Sequence, residues 1–269
     1  MTKNEIIQIK TKDELTMIYM GGKYKLHDMA KIGYEEIGKR MIREEGINKN
    51  QMDNRNRTPL MVAIGEKQLE FVKMLLKEKV DTNIKGKNGR TALHWAIQTN
   101  QPMMLECLLE RGANPKIKDD LGRTPLHCAA TLGLRECTYI LLRYIDAGID
   151  ERDEHYRTPM HYLMRAAQQD EQQNRICHEF IKQGANLNIR DCLKKTPLIY
   201  AIQTKKHQCM QTLMTAGATL EGACINQNTV LMIAAQTKVY QSVSLFVKQG
   251  ISVHHQNRYD ESALHLALF

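Results

Sequence analysis

The chain has 269 residues and a formal net charge of +8, and 42% of its residues are hydrophobic and 25% charged, as in an ordinary soluble folded protein. No apolar run is long enough for a transmembrane helix, and the N-terminus lacks the apolar core of a signal peptide. The basic excess is spread along the chain without a polybasic block, so no membrane partner is expected; nucleic acid is not indicated as a partner, but it stays open.

Seven cysteines are present, and no two of them form a Cys-x-x-Cys pair. An odd number without metal-ligand spacing favours free thiols in a reducing compartment over disulfides or a zinc site. We therefore expect an intracellular protein, cytoplasmic or nuclear, that holds no metal.

The first 23 residues carry no recognisable pattern and are treated as an N-terminal lead-in of unknown structure. From residue 58 onward, a tetrapeptide that opens with Thr or Ser recurs at steps of 33, 33, 34, 38, 33 and 33 residues. Its copies begin at Thr58, Thr91, Thr124, Thr158, Thr196, Thr229 and Ser262. A period of this length indicates one supersecondary unit that is stacked many times.

Residues 91–123 show what a single unit predicts. The apolar residues of a short first helix share one face: Leu93, Ala96 and Ile97. A second helix follows and ends at Gly112, and its inner face consists of Met104, Leu105, Leu108 and Leu109. A turn between short extended pieces then leads to the next unit. The motif threonine suits a helix N-cap, and the proline that often follows it suits the first helical position.

The motifs of several units point to one family. Residues 122–130 read Gly-Arg-Thr-Pro-Leu-His-Cys-Ala-Ala, residues 108–109 are a leucine pair, and residues 184–188 read Gly-Ala-Asn-Leu-Asn. This pattern resembles that of ankyrin repeats over about residues 24–269. The resemblance implies an α-helical repeat solenoid, an elongated and curved ankyrin-type stack of helix pairs with short β-hairpin or turn connections.

The repeat frame divides the chain into consecutive units. Residues 24–57 are interpreted as a degenerate N-terminal ankyrin unit, and residues 262–269 as the start of a truncated repeat. Six ankyrin-like repeats lie between them: 58–90, 91–123, 124–157, 158–195, 196–228 and 229–261. The fourth has five extra residues, which we place within 165–174 as a longer helix or a projecting loop. Because an apolar half-repeat is a poor end for a stack, we expect a longer protein that continues past residue 269.

Five of the ten histidines occupy one slot of the repeat: His27, His94, His127, His161 and His265. The shared slot and the family resemblance predict a structural hydrogen bond that is made again in each repeat, rather than a metal or catalytic site. The adjacent pair at residues 254 and 255 lies in a turn, where solvated side chains are expected.

A cation precedes the motif threonine in five consecutive units: Arg57, Arg90, Arg123, Arg157 and Lys195. Three more predicted binding cations lie near these positions: Lys85, Lys87 and Lys118. This ladder suits forked hydrogen bonds to an acidic, extended peptide. The alternative is a row of solvated turn residues, partly neutralised by Asp119, Asp120, Asp153 and Glu154.

Trp95, the only tryptophan, follows the motif histidine at a slot that is apolar in most other units. Packing between repeats is one interpretation. The other is a partly exposed anchor, or one wall of an aromatic cage for a methylated lysine. We include Trp95 with the eight cations in the predicted partner-binding set.

No catalytic motif is present: the sequence lacks G-x-G-x-x-G after a strand, G-x-x-x-x-G-K-[ST], H-E-x-x-H and G-x-S-x-G. We therefore expect no enzyme within this chain, no catalytic residue and no cofactor. The leading prediction is a protein–protein interaction scaffold that binds a protein or peptide, acidic in character, through the concave and turn surface of the solenoid. The alternative is a ligand- or nucleotide-sensing regulatory module of a larger protein, an enzyme or a channel.

Overall fold

The structure, a computed structural model, describes residues 23–144, 148–167, 170–220, 224 and 226–268. Almost all of the predicted lead-in lies outside these residues. The chain divides into two compact units, residues 1–114 and residues 115–269. Within the described residues the regular structure is helical and contains no β-strand, in agreement with the predicted α-helical repeat stack.

The first unit contains three helix pairs in its described part. Its helices are α1 (Lys25–Ile32), α2 (Glu35–Arg43), α3 (Pro59–Gly65), α4 (Leu69–Lys77), α5 (Ala92–Gln98) and α6 (Pro102–Glu110). The first helices α1, α3 and α5 pack side by side, and so do the second helices α2, α4 and α6. Each first helix also packs against its own second helix, so the unit has two helix layers.

The second unit repeats this arrangement. Its helices are α7 (Pro125–Leu132), α8 (Arg135–Leu142), α9 (Pro159–Arg165), α10 (Asp170–Lys182), α11 (Pro197–Gln203), α12 (His207–Thr215), α13 (Val230–Gln236), α14 (Tyr240–Lys248) and α15 (Ala263–Ala267). The odd-numbered first helices α7 to α15 each contact the next one along the chain. The second helices α8, α10 and α12 form the other layer, and α14 packs against α13.

The buried stripes lie where the sequence predicts them. Leu93, Ala96 and Ile97 of α5 are buried, and so are the predicted inner residues of α6: Met104, Leu105, Leu108 and Leu109. Burying each such large apolar side chain contributes about 1.5–3 kcal/mol. Helices this short are not stable alone, so packing between neighbouring repeats supplies the stability that each pair lacks.

The helix ends also agree with the prediction. Every motif Thr or Ser has an extended backbone and immediately precedes a first helix: Thr58, Thr91, Thr124, Thr158, Thr196, Thr229 and Ser262. A proline follows at the first helical position in four repeats: Pro59, Pro125, Pro159 and Pro197. Gly112 follows α6 with φ of 79°, a backbone conformation that glycine adopts without strain.

The motif histidine completes the cap and reaches the next repeat. In the α7 repeat, the backbone N–H of Thr124 donates to His127 Nδ1 at 3.1 Å. Because Nδ1 accepts this bond, the neutral ring carries its proton on Nε2, which donates to the carbonyl of Arg157 at 2.9 Å. Equivalent bonds join His27 to Arg57 and His161 to Lys195. The predicted structural hydrogen bond is confirmed at these three histidines.

The connection between repeats is a closed five-residue turn, which we call the hairpin. In each of seven hairpins the N–H of the first residue donates to the carbonyl of the fifth, at 2.8–3.1 Å. Six hairpins are described in full: 53–57, 86–90, 119–123, 153–157, 191–195 and 257–261. At 224–228 the same bond joins the first and fifth residues, and residue 225 lies outside the described residues. Neighbouring hairpins within a unit also bond to each other, as when Cys192 N–H donates to the carbonyl of His155 at 3.0 Å.

The five extra residues of the fourth repeat lengthen its second helix. Helix α10 has 13 residues, whereas α4, α6, α12 and α14 have 9 each. Residues 168 and 169 of the predicted insertion lie outside the described residues. The buried ammonium group of Lys206 donates hydrogen bonds to the carbonyl of Ala166 and to the side chain of Gln173, and so ties the end of α9 to α10.

The caps predict an unequal cost for two matched substitutions. Replacing Thr124 by valine should lower the free energy of unfolding by about 1–2 kcal/mol, because the hydroxyl takes part in the cap with His127. Thr196→Val should change the free energy of unfolding little, because Thr196 Oγ1 is buried and has no hydrogen-bond partner among the described residues. In this repeat Ile199 takes the position that histidine occupies in the α7 repeat. Urea unfolding of both variants measures the difference, and equal losses would contradict this assignment of the caps.

Candidate binding surface on the hairpins and first helices

The hairpin at 153–157 shows how a carboxylate holds one of the predicted binding arginines. Asp153 Oδ1 accepts the backbone N–H groups of His155 at 2.9 Å and Arg157 at 2.8 Å. Asp153 Oδ2 accepts Arg157 Nε at 3.0 Å and the Tyr162 hydroxyl at 2.7 Å. Burial acts to raise the pKa of Asp153, but the hydrogen bonds from Tyr162 and Arg157 outweigh it and hold the pKa below its usual value.

Two other predicted binding arginines are held in the same way. Arg57 donates from Nε and Nη2 to Asp53 Oδ2 at 2.9 and 2.8 Å, and Arg123 donates to Asp119 Oδ2 at 3.0 and 2.7 Å. Their side chains are mostly buried, with 25% and 18% of their surface exposed. The three paired arginines therefore stabilise their own turns, and their role in binding a partner stays a prediction.

Arg90 differs because its hairpin begins with glycine instead of aspartate. A Cβ at Gly86 would lie 2.5 Å from the carbonyl oxygen of Asn56 and 2.8 Å from the sulfur of Met61, so the hairpin has no room for a longer residue there. Met61 occupies the slot that holds histidine in other repeats. Arg90 donates from Nη1 to Gln98 Oε1 at 2.6 Å and makes no ion pair with any described residue.

Two lysines at this hairpin, one next to it and one within it, also have no carboxylate partner among the described residues. Lys85 and Lys87 are exposed and form no ion pair within the described part of the chain. Together with Arg90 they form the unpaired hairpin cluster, Lys85–Lys87–Arg90, in the first unit. Among the described residues of this unit, Arg57 is the one predicted binding cation that pairs with an aspartate.

The remaining two predicted cations lie in the second unit. Lys118 contacts Glu151 at 2.8 Å and donates to the carbonyl of Arg152 at 2.9 Å. Lys195 donates to Gln203 Oε1 at 3.1 Å instead of to the carboxylate of its own hairpin. That carboxylate, of Asp191, accepts the Lys195 backbone N–H at 2.8 Å and the hydroxyl of Tyr200 at 2.5 Å.

Trp95 is half-buried on α5, and its ring lies over the preceding first helix. A Cβ at Gly65 would be 3.9 Å from this ring, a normal packing distance. The described residues place no second aromatic ring against Trp95, so the walls of an aromatic cage are not formed there. The contact favours packing between repeats, and a role of Trp95 in binding a partner stays a prediction.

Sequence reasoning missed a group of charged and aromatic side chains in the second unit. Arg165 lies at the end of α9 with its guanidinium 6.0 Å from the ring centre of Tyr162 and 5.5 Å from that of Tyr200. Arg157 and Lys195 approach the same two rings at 4.9 and 5.3 Å. The available signal was the pair of tyrosines in the slot after the motif histidine, with Arg165 three residues after the first of them.

Neither a metal centre nor a membrane span is found in the described part of the chain. No group of three or more His, Cys, Asp or Glu side chains there is arranged to hold a metal ion. No helix among these residues combines the length and the apolar character that crossing a bilayer requires. The seven cysteines all lie among the described residues, and none of them forms a disulfide bond there.

Comparison with a characterised protein and a solved structure agrees with the geometry. The chain is 27% identical to the human transient receptor potential cation channel subfamily A member 1 over 124 residues, which are 45% of this chain and 10% of that protein. The chain thus spans about a tenth of the length of this relative. The crystal structure of the ankyrin repeat domain of Bcl-3, described as a unique member of the IkappaB protein family, has a TM-score of 0.67 at 22% identity. This match covers 78% of the chain and 94% of that domain, and it concerns the fold alone.

A family model settles the classification. Three copies of the model described as ankyrin repeats match residues 26–119, 101–162 and 163–257, which together span most of the sequence. The match covers the repeated motif-threonine caps, the helix pairs and the hairpins described above. The chain belongs to the ankyrin repeat family, and its fold is an α-helical repeat solenoid.

Proposed function

We propose that this chain is a recognition scaffold that binds an acidic segment of a partner protein at the unpaired hairpin cluster, Lys85–Lys87–Arg90. Ankyrin repeats are generally protein-interaction modules and typically do not catalyse reactions, which supports a binding role. Seven cysteines that form no disulfide among the described residues support a setting in the cytoplasm or the nucleus.

One observation carries the choice of this cluster. In three other hairpins an internal aspartate meets the charge of the arginine at the fifth position, but Gly86 leaves Arg90 without one. A carboxylate supplied by a partner could form with Arg90 the ion pair that its own hairpin does not provide. Arginine binds carboxylates through paired N–H groups, and the two exposed lysines add attraction at longer range.

Charge reversal tests this proposal. The whole chain is used as bait in a cell extract, and the captured proteins are identified by mass spectrometry. The Lys87→Glu/Arg90→Glu variant should bind the partner at least about tenfold more weakly, because two attractive contacts become repulsive. The partner should therefore be missing from the proteins that this variant captures. A partner that remains bound as tightly to this variant would contradict the proposal.

The matched control carries the same charge change elsewhere in the first unit. Lys77→Glu/Arg111→Glu alters two exposed cations at the ends of the second helices α4 and α6. This control should bind the partner as the unaltered protein does. Equal thermal unfolding midpoints of the two variants would show that a loss of binding comes from the changed surface charges and not from unfolding.

The second candidate is a ligand-sensing module within a larger regulatory protein. The similarity to a segment covering 10% of a human cation channel subunit is the observation that favours it. An anionic ligand such as a nucleotide would then occupy the same unpaired cluster. Titration with a nucleoside triphosphate at increasing salt separates the candidates, since phosphate binding weakens steeply with salt and a mixed protein interface does so less.

A further inference from the structure

The second unit carries a surface that is distinct from the unpaired hairpin cluster. We call it the tyrosine–cation ladder: Arg157, Tyr162, Arg165, Tyr200 and Lys195. Its members come from two neighbouring hairpins and from the first helices α9 and α11, which pack against each other. Each tyrosine ring has two cations within 6.0 Å of its centre, and Arg165 is shared between the two rings.

Both rings are held in place by contacts on their other sides. The hydroxyl of Tyr162 donates to Asp153 and that of Tyr200 to Asp191, at 2.7 and 2.5 Å. The ring of Tyr162 also meets His127 edge-on, with ring centres 5.5 Å apart. A cation that rests on a fixed ring loses less freedom when it binds a ligand, so these rings position the cations.

The charges of the ladder are only partly balanced. Asp153 pairs with Arg157 at 2.9 Å. Exposed Arg165 forms no ion pair with a described residue, and Lys195 donates to Gln203 instead of to a carboxylate. Among the described residues, two of the three cations therefore have no carboxylate within ion-pair distance.

We propose that the ladder binds an extended peptide rich in Asp or Glu, with one carboxylate received by Arg165 and another by Lys195. A guanidinium that lies over a ring keeps its N–H edge free, which fits the two oxygens of a carboxylate. Single-stranded nucleic acid fits less well, because it needs open aromatic faces on which bases stack, and cations lie against both rings here.

Fluorescence anisotropy of the whole chain tests this inference with a labelled glutamate–glycine peptide. Arg165→Gln should weaken peptide binding by about tenfold, because one charge-assisted contact is lost. The matched control is Arg135→Gln on α8, since Arg135 is also exposed and also lies over a tyrosine, at 5.1 Å from the ring of Tyr139, but belongs to the layer of second helices. This control should bind the peptide as the unaltered protein does.

With the hairpin cluster unaltered, three outcomes would overturn the inference. The first is an absence of saturable peptide binding, and the second is an equal effect of Arg135→Gln. The third is tighter binding of a labelled oligothymidylate than of the peptide, with that binding lost in Arg165→Gln, which would assign the ladder to nucleic acid.

The same titration keeps this inference separate from the proposed function. It is repeated in the Lys87→Glu/Arg90→Glu variant, in which the hairpin cluster of the first unit is disabled. Peptide binding that persists there and still depends on Arg165 supports the ladder. Peptide binding that disappears completely in that variant overturns the ladder and leaves the proposed function standing.

Discussion

Acidification from about pH 7 to about pH 5 is expected to destabilise the folded chain, because its motif histidines are buried in the neutral form. Burial lowers the pKa of His127 to about 4, well below the value of about 6.5 for a free histidine. Burial also lowers the pKa of His161 and of His27. Between pH values of about 6.5 and about 4, His127 binds a proton in the unfolded chain but not in the folded chain. The free energy of unfolding therefore falls as the pH falls through this range.

The size of the effect follows from the same linkage. His127 alone should account for a loss of about 3 kcal/mol once the pH reaches its folded-state pKa. Urea unfolding at a series of pH values measures this loss. The range above about pH 5 is informative, because the hairpin carboxylates have lowered pKa values and stay charged there.

His127→Gln separates this effect from general acid sensitivity. Glutamine keeps one acceptor and one donor but does not titrate, so the variant should be less stable at neutral pH and less dependent on pH below it. A stability that does not change between about pH 7 and about pH 5 in the unaltered protein would contradict the account. An unchanged pH dependence in the variant would contradict the assignment to His127.

Replacing Asp153 by alanine is expected to cost about 3 kcal/mol, a large fraction of the stability of an ordinary domain. The carboxylate accepts two backbone N–H groups, the Arg157 guanidinium and the Tyr162 hydroxyl, and it is buried. Its removal leaves a partly buried guanidinium without a counter-charge and opens the turn that joins two repeats. Thermal or urea unfolding measures the loss.

Asp120 provides the comparison for this substitution. It is an exposed aspartate in the hairpin at 119–123 and has no ion pair among the described residues. Asp120→Ala should therefore change the stability by less than about 0.5 kcal/mol. A similar cost for both substitutions would mean that hairpin acids act through net charge and not through the contacts of Asp153.

The architecture could be predicted from the sequence because its determinants are local. The motif threonine and the proline after it fix where a first helix begins, and Gly112 fixes where α6 ends. Each acts on the backbone of its own helix. The stripe of Leu93, Ala96 and Ile97 is visible in a single repeat. Repetition then reinforces each signal, since the same spacing returns along the chain.

The candidate surfaces were less predictable because they depend on contacts between elements. The sequence suggested that Asp119, Asp120, Asp153 and Glu154 would share in neutralising the cations. The hairpin brings only its first residue to its fifth, so Asp119 and Asp153 pair while Asp120 and Glu154 remain exposed. Arg165 went unnoticed because its position between Tyr162 and Tyr200 arises from packing of two helices that lie a repeat apart.

The central claim is that cations left without an internal carboxylate are the ones that recognise a partner. Amide NMR spectra of the whole chain, recorded during titration with the glutamate–glycine peptide, test it most directly. The expected result is a shift of amide signals at the 86–90 hairpin and around Arg165 and Lys195, with those of α8 and α10 unchanged. Shifts confined to the second helices, or centred on the aspartate-paired Arg57 and Arg123, would contradict the claim.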